Sequence, residues 1–320
     1  MTRIVFLLVP GVHLLDLAGP AQVFFAASDV LGDPADAEPA DHGPAAAGAG
    51  GYRLLYVAER EGVPSAQGLR LDAGTRWPDL HPGDVLLVPG WRWRAGAPHT
   101  APVGADTARR IAAHHAAGGL VASVCAGAFA LGQAGLLDGR RCTTHHELQD
   151  ALARRHPRAA VVRDVLYVTD DRVVTSAGIA SGIDLALHLV AARHGPGVAA
   201  RAARTMVVYA RRNGEEPQDG VMLRHRAHLS DTVHHVQDAI DAGYARPLPL
   251  AALAAAAGVS ERTLTRRFAA ATGLTPLRYQ QELRLERAEH LIGQGATVES
   301  AARAVGFADA RMLRRLRARA

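Results

Sequence analysis

Short, nearly unbroken apolar runs at residues 3–9, 52–58, 84–88 and 120–124 punctuate the first 200 residues. Runs of that length suit strands buried on both faces of a parallel sheet. Alanine-rich stretches at 20–30, 106–117, 128–134 and 183–192 alternate with them and predict helices. The βαβα rhythm predicts an α/β sandwich. Residues 32–51, a Gly/Pro/Ala/Asp tract without periodicity, read as a flexible loop insertion. Residues 213–220, NGEEPQDG, have turn residues and no apolar spacing, and fall in a connection predicted over 196–228. From residue 229 the pattern is helical, with no further β-rich run.

Within that helical region the same arrangement occurs twice. Leu250, Leu253, Ala254 and Ala257 sit at offsets 0, 3, 4 and 7, which makes one apolar helix face. Gly258 follows as a helix stop, Ser260 is a good N-cap, and Val259 is placed to staple onto Leu264. Two short helices joined by such a turn form a helix-turn-helix, whose second helix exposes Arg262, Thr265 and Arg266 and turns Leu264 and Phe268 inward. The offsets recur 48 residues later in Val298, Ala301, Ala302 and Val305, with Gly306 and Phe307 after them and then a helix carrying Arg311, Arg314 and Arg315. Between the copies, Pro276 opens a helix with Leu285, Ala288, Leu291 and Ile292 as its buried stripe. A rod of that length separates the two second helices by the order of one DNA turn. A small helical bundle shares many of these features, and the arginines over 314–319 also fit a merely solvated face.

Charge sharpens the picture. All 36 basic residues are arginine; residues 1–200 hold 17 of them against 19 acids, and residues 201–320 hold 19 against 12. The basic C-terminal third points to a polyanion partner such as double-stranded DNA. A length of 320 residues allows two domains at about 150 residues each, and 48% apolar content supports real cores. Two cysteines, Cys125 and Cys142, make no disulfide framework and fit a reducing cytoplasm. The apolar runs fall short of the ~20 residues of a membrane span, and no leader pattern opens the chain. Adjacent histidines at 114, 145 and 234 point different ways, so neither a metal nor another cofactor is expected.

The strand at 120–124 runs directly into Cys125-Ala126-Gly127 and a helix. So sharp a reversal needs small neighbours, which Ser123 and Gly127 supply. It exposes Cys125 at the sheet edge beside a helix N-terminus that favours thiolate, as a nucleophile or sensing thiol; an inert buried cysteine is the other reading. Cys142 has no such context. Asp16, after the first strand, lies at the same sheet edge or caps a helix opening at Gly19-Pro20, and propensity favours the cap. Thr143-Thr144-His145-His146-Glu147 adds histidines after a short strand.

These residues carry two resemblances. Residues 229–320, above all AALAAAAGVSERTLTRRFAAATGLTPLRYQQELRLERAEHLI, resemble the AraC-type DNA-binding domain. That likeness implies DNA contacts from Ser260, Arg262, Thr265 and Arg266 and from Arg311, Arg314 and Arg315, with arginine reading guanine. Arg317 stands where the family places a Phe and no closing helix follows, which predicts a short second unit that packs poorly or contributes only phosphate contacts. Residues 3–195, through LLDLAGPAQVF, DVLLVPG, VCAGAFALGQAGLLDGRRCTTH and VTSAGIASGIDLALHLV, resemble the PfpI-like branch of the class I glutamine amidotransferase-like superfamily. A flavodoxin-like parallel sheet sandwich is implied over 1–195. So is a pocket of Cys125, Asp16 and His145 with an anion hole of backbone N–H groups near Gly90 and Ala126. Ala126 replaces the histidine that follows the cysteine in PfpI-like hydrolases, which argues against protease or amidase chemistry.

Together the two domains resemble GlxA-type transcriptional regulators. The resemblance implies a cytoplasmic, homodimeric regulator rather than an enzyme, sensing a small molecule in the first domain and binding operator DNA through the second. Three alternatives stay open: a hydratase- or glyoxalase-like enzyme acting through Cys125, a thiol redox sensor, and a degenerate regulator, truncated in its second unit, that binds DNA weakly or not at all.

Overall fold

The computed structural model describes residues 1–32, 51–92, 103–208, 212–215, 218, 220–293 and 295–318. The loop insertion expected at 32–51 lies, between its end residues, outside them. The chain folds as two compact units, Met1–Gln218 and Asp219–Ala320.

The first unit runs β1 (Thr2–Leu8), α1 (Leu14–Gly32), β2 (Tyr52–Ala58), the short pair β3 (Val63–Pro64) and β4 (Arg70–Leu71), β5 (Val85–Val88), α2 (Ala105–Ala116), β6 (Leu120–Val124) and α3 (Ala128–Gln133). It continues through β7 (Arg141–Cys142), α4 (Gln149–Arg155), β8 (Ala160–Val161), β9 (Tyr167–Asp170), β10 (Val173–Ser176) and α5 (Ser181–Thr205). The main sheet has the order β2-β1-β5-β6-β10-β9. Five of its strands are parallel, four of them at the predicted apolar runs, and Ile4 to Leu8, Leu86 to Val88 and Val121 to Val124 are buried; β2, an edge strand, is not buried on both faces as expected, because it has a neighbour on one side only and leaves Arg53 and Tyr56 exposed. The fold is the flavodoxin-like α/β type, with one addition: β9 pairs antiparallel with β10 through a turn in which Asp171 takes φ 53°.

Helix α1 starts at Leu14, six residues ahead of the predicted Pro20 start, and Pro20 lies inside it. Pro20 removes the bond to the Asp16 carbonyl and crowds it, and the helix nonetheless continues through it to Gly32. Asp16 is therefore a buried first-turn residue, and the capping role that propensity favoured is not the one it plays. By length and composition α1 would also cross a membrane, which the sequence runs did not suggest. Ten of its residues are buried and it packs against α5, as a core helix does.

The second unit comprises α6 (Val221–Arg224), α7 (Asp231–Gly243), α8 (Leu250–Ala256), α9 (Glu261–Thr272), α10 (Pro276–Gly293), α11 (Val298–Ala304) and α12 (Ala310–Arg317). It has two cores, one around Val233, Ile240, Leu264, Phe268 and Tyr279, the other around Ala301, Ala302, Val305 and Leu313. Helix α10 serves both: Tyr279 and Leu283 enter the first, Ala288 the second. Of the stripe predicted for it only Ala288 is fully buried; Leu285, Leu291 and Ile292 are half-buried. The second helix-turn-helix is not poorly packed, because Leu313 and Leu316 fill its core while Arg317 stays outside.

Candidate functional site

Strand β6 ends in a 3-10 turn, Cys125–Gly127, that leads into α3. Cys125 adopts φ 53°, a left-handed conformation that costs a non-glycine residue about 1–2 kcal/mol. The chain can reverse there because its neighbours lack bulk. A Cβ on Gly127 would lie 2.0 Å from the Val88 carbonyl oxygen, and one on Gly178 2.3 Å from the Cys125 Cβ. Gly90 is as tightly placed: a Cβ there would sit 2.3 Å from Asp16 Oδ2, 2.6 Å from Cys125 Cβ and 3.0 Å from the Ala126 nitrogen. Cys125, Asp16, Gly90 and Ala126, named from the sequence, thus meet at one point.

Asp16 is fully buried. Its Oδ1 accepts the Ile179 N–H at 2.7 Å, while Oδ2, buried on the Gly90 side, has no hydrogen-bond partner of normal geometry. Burial raises the Asp16 carboxyl above the ordinary carboxylate range; the Ile179 and Gly90 N–H groups and the nearby His13 and Cys125 only moderate this. Burial likewise pushes the Cys125 thiol far up, the Asp16 and Glu147 carboxyls push the same way, and the Ala126 N–H opposes. Burial to 5% exposure beside a carboxyl group thus works against the thiolate that the N-terminus of the six-residue helix favours.

Residues that sequence reasoning left unnamed complete the shell. Ile179, at φ 51°, offers its N–H to Asp16, and Ser181 exchanges hydrogen bonds with the Gly178 backbone at 2.8 and 3.0 Å. The buried Thr144 hydroxyl donates to the Cys125 carbonyl at 2.7 Å. The Thr144 carbonyl in turn accepts from the amide of Gln218, the last residue of this unit, at 3.0 Å. His145 follows Thr144, one-quarter exposed, with Nδ1 3.8 Å from Glu147 and its ring 4.2 Å from that of His146. The signal for Gly178 and Ile179 was present in the quoted run VTSAGIAS, whose Ala-Gly-Ile interrupts a strand before a helix. Among the described residues no three His, Cys, Asp or Glu side chains gather as metal ligands.

The second unit holds the other candidate surface. Gly258 at φ 65° ends the turn after α8, and the Ser260 hydroxyl caps α9 by accepting the Thr263 N–H at 3.3 Å. Leu264 and Phe268 are fully buried, leaving Arg262, Arg266 and also Arg267 exposed, with Thr265 half-buried. The Thr265 hydroxyl returns to the Glu261 carbonyl at 2.9 Å. Asp309 caps α12 through the N–H groups of Arg311 at 2.8 Å and Met312 at 3.3 Å, and Arg311, Arg314 and Arg315 are exposed. Of these three, Arg314 forms an ion pair with Glu299.

The DJ-1/PfpI family model matches residues 2–192 and a helix-turn-helix domain model matches residues 253–320. The HTH-type transcriptional regulator GbdR of Pseudomonas aeruginosa is 34% identical, over 54% of this chain and 47% of its own length. The HTH-type transcriptional regulator GlxA of Rhizobium meliloti is 30% identical over 59% of this chain and 58% of its own. The isonitrile hydratase of Pseudomonas putida is 34% identical over 58% of this chain and 70% of its own. The matched region spans about half the length of the two regulators. With the cysteine elbow on a flavodoxin-like sheet and a helical C-terminal unit, these matches establish that the chain belongs to the DJ-1/PfpI family and carries a helix-turn-helix domain behind it.

Proposed function

We propose that this protein is a DNA-binding transcriptional regulator whose DJ-1/PfpI unit senses a small molecule and whose helical unit grips operator DNA. The observation that carries the reading is a capped, rigidly packed helix α9 that presents Arg262 and Arg266 outward with no acidic partner among the described residues. An unpaired guanidinium on a preformed helix gives bidentate contacts to guanine without first breaking an ion pair. Gel-shift titration with Arg262→Ala plus Arg266→Ala tests it: a loss of operator affinity of at least tenfold supports the reading, and unchanged affinity rejects it.

On this reading the effector occupies the pocket around Cys125, Asp16 and His145, beside the Gly90 and Ala126 backbone. Its differential affinity for two states of the protein sets DNA binding. Thr144 and Gln218 offer a route, since one holds the elbow carbonyl and the other joins that threonine to the end of the unit. A homodimer in the cytoplasm, engaging paired half-sites, fits the same function.

The similarity to isonitrile hydratase favours a second reading, cysteine-dependent turnover of a small electrophilic substrate. Burial and the neighbouring Asp16 carboxyl, which disfavour the Cys125 thiolate, work against it. Turnover of an isonitrile that Cys125→Ser abolishes, in a protein without sequence-specific DNA binding, would replace the regulator by the enzyme.

A further inference from the structure

Two cores strung on one helix can swivel about it unless a second contact ties them together. In the helical unit that tie is built at one spot. The loop after α7 carries the carbonyls of Tyr244, Ala245 and Arg246, and the turn between α11 and α12 comes so close that a Cβ on Gly306 would lie 1.9 Å from the Ala245 oxygen. Arg284, half-buried on α10, spans this joint. Its Nε donates to the Tyr244 carbonyl at 2.6 Å and its Nη2 to that of Arg246 at 3.0 Å, both in the first half. Its Nη1 donates to the Gly306 carbonyl at 2.9 Å, in the second. The guanidinium also lies over the Phe307 ring, 5.6 Å from its centroid. No carboxylate pairs with Arg284 among the described residues, and burial lowers its proton affinity below that of an ordinary arginine. One turn earlier on α10, Gln280 donates to the carbonyls of Tyr244 and Arg246 at 2.9 and 2.8 Å, within the first half.

A bare cation in a basic unit invites the reading of a phosphate contact, yet this one points three of its donors at backbone oxygens. Only a guanidinium offers diverging donors in one rigid plane; a lysine ammonium is a point charge and cannot hold carbonyls of both halves in the same way. We propose that Arg284 is a positioning residue: it locks the two helix-turn-helix halves into one rigid reader, so that the chain accepts a single spacing of contacts along the duplex. The inference rests on the DNA-binding function proposed above. A preformed relation between the halves removes an ordering cost from binding and penalises any operator in which the two contacts are out of phase.

Operators selected from a random pool by the full chain, then lengthened by one or two base pairs between the two stretches that one helical unit protects, test this in gel shifts. Each added pair moves one stretch by ~3.4 Å and turns it by ~35° about the duplex axis. The unsubstituted chain should lose about thirtyfold or more on insertion. Arg284→Ala and Arg284→Lys should bind the original operator about tenfold more weakly, lose less than about threefold further on insertion, and keep the salt dependence of the unsubstituted chain. Gln280→Ala, which loosens the first half alone, should keep the full penalty for insertion. Three outcomes overturn the proposal and leave the regulator intact: an unsubstituted chain indifferent to insertion; Arg284 variants that bind weakly but discriminate spacing as before; or a salt slope lowered by about one in Arg284→Ala and restored in Arg284→Lys, the mark of a phosphate contact. Circular dichroism monitors the fold, and if Arg284→Ala unfolds, Arg284→Lys, which keeps stem and charge, carries the test; unfolding of both would make Arg284 a folding residue and overturn the positioning role too. Selection of no sequence at all removes the DNA-binding function itself.

Discussion

Cys125 and Ile179 both hold left-handed backbones, and Gly178 presses between them at φ 107°. An added methyl group at Gly178 would meet the Cys125 Cβ at 2.3 Å and its sulfur at 2.9 Å. Gly178→Ala therefore combines backbone strain with overpacking and should cost about 3 kcal/mol in urea unfolding. Gly135→Ala, at φ 75° with open space around it, should cost only about 1 kcal/mol. Equal losses at the two sites would mean that the elbow is not tightly packed. The buried Asp16 carboxyl yields a pH prediction. Its raised value means the folded chain keeps a proton that the unfolded chain has lost, so stability falls as pH rises from about 4 through the folded-state value. Asp16→Asn removes the titrating group, and urea midpoints followed across that range should lose this component of the downward slope. A slope identical to that of the unsubstituted chain would place the ionisation elsewhere.

At the scale of elements, the two turns of the duplicated motif look alike in sequence and differ in packing. A Cβ on Gly258 would meet nothing within 4 Å, whereas one on Gly306 would lie 1.9 Å from the Ala245 carbonyl oxygen. Arg284 reinforces that contact by donating to the carbonyls of Tyr244 at 2.6 Å, Gly306 at 2.9 Å and Arg246 at 3.0 Å. Gly258→Ala should cost about 1 kcal/mol and Gly306→Ala at least about 3, read by thermal unfolding of the full chain. Both turns were legible because offsets 0, 3, 4 and 7 closed by glycine describe a local structure. Helix α10 was less so: Tyr279 and Leu283 face one core and Ala288 the other, so no single apolar stripe marks it. The same distinction separates the two sides of the cysteine elbow. Ser123 and Gly127 flank Cys125 in sequence and announced the elbow; Ala-Gly-Ile at 177–179 marks a break of its own, but only the β6–β10 pairing brings Gly178 and Ile179 to Cys125 from more than 50 residues away. Asp16 was misread as a cap for a similar reason, since Pro20 usually opens helices and only the tertiary fold lets α1 begin earlier.

Across the whole molecule, charge is partitioned between the units. Met1–Gln218 holds 21 arginines and 21 acidic residues, and Asp219–Ala320 holds 15 and 10, so the entire net charge of +5 resides in the helical unit. Much of that arginine is already spent internally, on Asp238 and Asp241 by Arg226, on Glu282 by Arg278, on Glu299 by Arg314 and on Glu289 by Arg317. On the two second helices, Arg262, Arg266, Arg311 and Arg315 stay exposed without an acidic partner among the described residues and are the groups expected to meet DNA, with Arg267 exposed beside them. Each cationic contact with DNA releases counterions and contributes close to one to the slope of log affinity against log salt. One chain on its operator should give a slope of about −4, and a dimer with both chains engaged about −7. Anisotropy titrations across potassium chloride concentrations, with the stoichiometry of the complex fixed by sedimentation, measure both quantities together. A two-chain complex with a slope near −4 would show that only one helical unit contacts DNA. A single-chain complex with a slope well beyond −4 would show that further arginines, such as the exposed Arg267 and Arg303, also contact DNA.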